Sequence, residues 1–213
     1  MGVNGTNPEF KLVQNIENKG LKTYINLIMT PLEDLIQEHE AIKVMLSIMS
    51  KIAGNIEADD RFDTGDVEKI VDFLRTFADK CHHGKEETAL FPALALAEIS
   101  DNNGPICVML HEHNIGRGYV NGLISGVEDF KNNFANASGL ISACLINYVT
   151  LLESHIQKEE NILFPMANKV LSEQKLNEIF DKFQIIEADI LGHGVHEQYQ
   201  ELLKQLKIKY IDQ

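Results

Sequence analysis

An eleven-residue run, HHGKEETALFP from His82, recurs as HIQKEENILFP from His155, with His, Lys, Glu-Glu and Leu-Phe-Pro in register. Each copy follows a shorter motif, EHE at Glu38–Glu40 and EHN at Glu112–Asn114, by 43 residues from His39 to His82 and 42 from His113 to His155. Two motifs repeated at one spacing mark a duplicated unit. If both motifs lie on helices, the unit is a helical hairpin, and two hairpins with short connections pack as an up-down-up-down four-helix bundle.

Hydrophobic periodicity places all four motifs on helices. The segment TPLEDLIQEHEAIKVMLSIMSKIAG opens with Thr30 as N-cap, Pro31 at the first helical position and Glu33 closing a capping box, and Gly54 is expected to end it. Leu35, Ile42, Leu46 and Met49 step by threes and fours, and His39 fills the gap in that stripe. From about Thr64, Val67, Val71, Leu74 and Ala78 lead on to His82 and Glu86. A period of 3.6 turns His83 away from that face, and Pro92 should stop or kink the helix after Phe91. Pro105 restarts a helix whose stripe is Ile106, Met109, His113, Gly116, Val120, Leu123 and Val127, with His111 on nearly the opposite side. After the polar stretch KNNFANASG, the fourth stripe runs Ile141, Leu145, Tyr148, Leu152, His155, Glu159, Ile162.

Six polar side chains therefore face one core: His39, His82, Glu86, His113, His155 and Glu159. Buried carboxylates need partners, and four imidazoles with two carboxylates cannot easily satisfy one another. Cations can. In each HxxxE the His and Glu stand one helical turn apart and reach a common point. The set is too large for a closed four-coordinate zinc site and too rich in nitrogen for calcium or magnesium. Two metal ions, read as iron, fit the count, with the glutamates placed to bridge them. Leu-Phe-Pro reads as packing and a helix stop. Glu87 and Glu160 read as acceptors behind the ligands or as surface charges, Tyr148 as core packing, Cys81 as a small buried hydrophobe, and Lys85 and Lys158 as solvated charges.

These motifs together, EHE, HHGKEETALFP, MLHEHNIGR and HIQKEENILFPMA, resemble the hemerythrin-like family, or HHE cation-binding domain, from about Pro31 to Asn168. The resemblance implies a non-haem di-iron centre inside the bundle. The irons would be bridged by an oxo or hydroxo group and by the two HxxxE glutamates, and His39, His82, Glu86, His113, His155 and Glu159 match the family's ligand positions. Oxygen-carrying members have a further histidine one turn after the first on the third helix, where this chain has Arg117. That leaves one nitrogen ligand fewer, which resembles the iron-repair and sensing branch more than the reversible carriers. Residues 30–171 are read as the bundle, 1–29 as an N-terminal extension (a short helix or a remnant of expression), and 172–213 as two further amphipathic helices packed on it. His193 or His196 of that tail could supply the missing ligand, although periodicity places neither in the core.

Bulk properties exclude several partners. The net charge of -13, with no Lys/Arg cluster, argues against nucleic acid and anionic membranes. No apolar run approaches the roughly 18 residues of a membrane span, and the start lacks a signal-peptide pattern. Three scattered cysteines form neither a disulfide framework nor a CxxC site, so a cytoplasmic location is expected. Two function classes remain: a module that binds or senses oxygen, nitric oxide, peroxide or iron, and a di-iron enzyme of nitric oxide or peroxide detoxification or of iron-centre repair. The enzyme would need an external reductant, and a sensor a protein partner.

Overall fold

The computed structural model describes residues 29–59, 62–99, 103–192 and 195–212. The expected N-terminal extension, apart from Met29, lies outside the described residues. Six helices and no strands occur among those described: α1 (Pro31–Asp59), α2 (64–96), α3 (Pro105–Lys131), α4 (Ala137–Val170), α5 (Glu173–Ile190) and α6 (Val195–Tyr210). The expected all-α class, with a four-helix bundle and additional C-terminal helices, is what forms. α1 packs on α4, α4 on α3, and α2 closes the bundle against α3 and the C-terminal helices.

α1 begins as its capping box requires, with the Thr30 backbone N–H donating to Glu33 Oε2 at 2.8 Å and the Glu33 N–H to Thr30 Oγ1 at 3.2 Å. Gly54 does not end it. The apolar stripe runs on through Ile52, Ala53 and Ile56, all buried, and this packing outweighs the weak helix propensity of a single glycine.

The largest departure from a 3.6 period lies in α2 and α4. Leu74–His83, Glu86–Leu90 and Glu159–Leu163 are π-helical. The Phe91 N–H donates to the Glu86 carbonyl and the Phe164 N–H to the Glu159 carbonyl, each spanning five residues. Both expected proline stops fail for this reason. A proline breaks an α-helix by clashing with the carbonyl one turn back, and a widened turn immediately before Pro92 and Pro165 relieves that clash. The repeated EExxLFP therefore encodes a π-turn inside a continuous helix. The extra residue also rotates the remainder of the helix, so Leu163 is buried and Ile162, expected inward, is half exposed.

Two apolar clusters occupy the bundle. One gathers Ile42, Met45, Met49, Leu74, Leu123 and Leu145, and the other Leu35, Leu90, Met109, Leu163 and Phe164. On every helix of the bundle the spacing of the motifs puts His or Glu between the two, as in Leu35, His39, Ile42 on α1 and Leu152, His155, Glu159, Leu163 on α4. α4 has the hydropathy of a membrane span over one window, and half of that window is buried within the bundle, as befits a helix packed between α1 and α3.

The tail is fastened at both ends. α5 adds Leu176, Ile179 and Phe183 to the second cluster, and α6 adds Tyr199, Leu203, Leu206 and Tyr210 to the first. Buried Asp66, near the start of α2, accepts from Tyr210 Oη at 2.8 Å, Lys209 Nζ at 2.6 Å and Lys69 Nζ at 2.8 Å. Asp66→Ala leaves the buried Tyr210 hydroxyl without that acceptor and should cost about 1–3 kcal/mol. Hydrogen exchange of the variant is the check: α6 amides should exchange faster than in wild type while those of α1 hold, and unchanged α6 protection would contradict this anchoring role.

Candidate metal centre

All six residues expected from the stripes meet in the layer between the clusters, each at 2% exposure or less. His39 Nε2 and His82 Nε2 lie 3.1 Å apart, as do His113 Nε2 and His155 Nε2. The glutamates span the two pairs. Glu159 places Oε2 3.2 Å from His39 Nε2 and Oε1 3.2 Å from His155 Nε2. Glu86 places Oε1 3.9 Å from His82 Nε2 and Oε2 3.4 Å from His113 Nε2.

A seventh residue joins them. His83, expected to point away, is buried, stacks on His113 with ring centroids 3.8 Å apart, and offers a ligand atom within 4.8 Å of those of Glu86, His113 and His155. The π-helical stretch Leu74–His83 is the cause: a wider turn lets two consecutive residues face the same core. The preference for His82 over His83 is thus corrected to both. At the position after the second repeat's His155 stands Ile156, so the duplication is asymmetric here.

The groups behind the rings set the tautomers. His39 Nδ1 donates to Glu160 (3.0 Å), His82 Nδ1 to Glu38 (2.8 Å), His83 Nδ1 to Asp79 (3.3 Å), His113 Nδ1 to Glu87 (2.7 Å) and His155 Nδ1 to Glu112 (2.9 Å). A carboxylate can only accept, so all five Nδ1 atoms carry protons and it is the Nε2 atoms that face the centre. Each carboxylate is backed by a cation: Lys43 on Glu160, Lys85 on Glu38, Lys158 on Glu112, and Arg117 on both Glu87 and Asp79. Glu87 and Glu160 prove to be acceptors behind the histidines. Periodicity does not single out Glu38, Glu112 or Asp79, although the first two are the repeated Glu before each first-motif histidine. The Phe of each LFP stacks on a histidine of the other hairpin, Phe164 on His39 and Phe91 on His113.

Lys85 is not solvated. Its ammonium is fully buried among Asp34 (2.8 Å), Glu38 (2.7 Å) and Glu187 (3.0 Å), the last supplied by α5. Lys158 is partly exposed, as expected of a surface charge, but pairs with Glu112. Burial lifts the Cys81 thiol far above its ordinary value, so it stays protonated and inert. Tyr148 is buried in the core, as expected. His193 lies outside the described residues, while His196 packs edge-on to Phe77 and is not part of the cluster.

Without a cation this layer is electrostatically frustrated. Both oxygens of Glu86 and of Glu159, and His83 Nε2, are buried with no hydrogen-bond partner. Burial and the facing Glu159 push the Glu86 carboxyl up. Burial opposes charge on His155, yet Glu159 and Glu112 lift its pKa to about 10. Burial and the neighbouring His113 hold His83 neutral, well below the ordinary histidine value. Five inward Nε2 atoms, each a lone-pair donor once its proton is displaced, and two carboxylates fit divalent metal ions. Nitrogens 3.1 Å apart suit neighbouring corners of a shell with metal–nitrogen bonds of about 2.1 Å, and the carboxylates behind each ring are the usual support of metal-bound histidine.

The profile of the Hemerythrin HHE cation binding domain matches residues 30–167. The chain belongs to the hemerythrin HHE cation-binding family. Uncharacterised proteins of Mycobacterium bovis and of two strains of Mycobacterium tuberculosis are each 23% identical to it over 157 residues, 73% of this chain. The chain spans 60% of the length of those relatives. No solved structure matches it significantly. The matched HHE segment ends inside α4, so α5 and α6, including Glu187 behind Lys85, lie beyond it.

Proposed function

We propose that this HHE domain holds two iron ions and binds a small ligand, oxygen, nitric oxide or peroxide, at one of them. The observation that carries the reading is the uneven division of donors. His83, His113 and His155 gather at one position and His39 and His82 at the other, with Glu86 and Glu159 spanning both. With each glutamate shared between the two, a metal at the His39–His82 position would have one protein donor fewer and could take an external ligand. Arg117 suggests one nitrogen fewer than in the oxygen carriers. His83 restores the count, which removes that argument against reversible binding.

An iron pair supplies a redox-active centre to which such ligands bind. The chain's residues supply the rest: imidazoles oriented by their Nδ1 hydrogen bonds, apolar clusters on either side of the layer, and Phe91 and Phe164 against the rings.

The test is iron analysis of protein reconstituted without oxygen, followed by optical spectra after exposure to oxygen and to nitric oxide. Two irons per chain and a reversible spectral change are expected. Less than one bound iron, or full iron retention in a His82→Ala, His155→Ala double variant, would sink the reading, and steady consumption of peroxide or nitric oxide would reassign the site to catalysis.

A further inference from the structure

The two hairpins repeat their chemistry closely enough that departures from the repeat are informative. Lys43 and Arg117 are equivalent, each four residues after the first-motif histidine of its hairpin, His39 or His113. Lys43 reaches two carboxylates of which one stands behind a histidine: its Nζ lies 2.9 Å from Glu160 Oε1, behind His39, and 2.8 Å from the exposed Glu40, which holds no imidazole. Arg117 reaches two that each stand behind one. Its NH2 group lies 2.8 Å from Glu87 Oε1, which accepts from His113, and its Nε lies 2.9 Å from Asp79 Oδ1, which accepts from His83. Those two imidazoles are the stacked pair, with planes 15° apart. The other departure from the repeat, His83 where the second copy has Ile156, falls on the same metal position. A guanidinium presents its donors in a rigid plane and so fixes the relative placement of the two carboxylates, whereas an ammonium is a rotatable point charge.

Resting on the two-metal reading above, we propose that Arg117 is a positioning residue for the His83–His113–His155 position: by tying Asp79 to Glu87 it fixes the stacked histidines, so that this position binds its metal first and more tightly than the His39–His82 position. Positioning of this kind typically changes metal affinity by about 10- to 100-fold.

The test is anaerobic titration of metal-free protein with ferrous iron, followed by calorimetry and by iron content after desalting. Wild type should bind in two resolved steps. Arg117→Ala should weaken the tighter step by about 10- to 100-fold and leave the other unchanged. The iron that survives desalting should then be lost when His82→Ala is added. Arg117→Lys should recover part of the loss, and millimolar guanidinium, for which a cavity lined by Asp79, His83 and Tyr148 is open beside the site, should recover more. The Arg117 side chain is 35% exposed, and unchanged circular dichroism of the lysine variant keeps the comparison valid if the alanine variant folds poorly. Two unaltered steps in folded Arg117 variants, or equal weakening of both, would overturn the proposal while leaving the two-metal reading intact. A wild type that binds no iron would overturn both.

Discussion

Replacing Lys85 by alanine is expected to cost about 3–5 kcal/mol and to lower the melting temperature by roughly 10 °C. The ammonium is fully buried and touches Asp34, Glu38 and Glu187. Removing it leaves at least two buried carboxylates facing each other across the vacated space, and a buried charge stripped of its partner is more costly than the pair was stabilising. Lys85→Ala with Asp34→Asn should therefore recover part of the loss, whereas additive losses would show that the ion pairs are unimportant.

The same cluster gives a pH signature. Burial alone would raise Glu38, but its bonds to His82 and Lys85 lower it from 4.5 to about 2. A carboxylate depressed in the folded state contributes stability that is present above its unfolded value and lost as pH falls through the folded one. Urea unfolding of the wild type should accordingly weaken between about pH 4.5 and 2, and Lys85→Ala should flatten that slope. Asp34, raised by burial, works in the opposite sense and reduces the net change.

Lys85 also shows where sequence reasoning stops. The stripes of α1 and α3 are legible because an ordinary α-helix repeats every 3.6 residues, and they place His39 and His113 without the structure. A wheel drawn at that period misplaces His83 and Ile162, because the turns that carry the chemistry are π-turns and nothing in a binary apolar pattern announces one. The repeated proline directly after each Leu-Phe is the available sign, and by ordinary helix rules it signals a stop. Glu38 and Glu112 are within reach of sequence, since both halves repeat a Glu before the histidine. The α5 partner of Lys85 is not: Glu187 is 102 residues away on a helix outside the repeat, and only packing reveals that a matched lysine is a buried cation in one hairpin and a partly exposed one in the other.

Iron loading is expected to raise the melting temperature by about 10–20 °C over the metal-free protein. A ligand that binds only the folded state stabilises it by about 2.7 kcal/mol when its free concentration is 100 times Kd, so two sites contribute about 5 kcal/mol, and a domain of this size gains about 2–4 °C for each kcal/mol. The structural reason is that the metal-free core carries a charge problem of its own: four glutamate oxygens without hydrogen-bond partners and pairs of inward imidazole nitrogens 3.1 Å apart, which only protons or cations can reconcile. Protons do so incompletely, since lifting His155 to about 10 leaves its neighbours competing for the same carboxylates. Metal binding should therefore release protons as it stabilises, and calorimetry in buffers of different ionisation enthalpy would count them. Scanning calorimetry of chelator-treated and reconstituted protein measures the shift, and a Glu86→Ala, Glu159→Ala variant should show none. Equal melting temperatures with and without iron in the wild type would mean that this buried polar layer is satisfied by something other than metal.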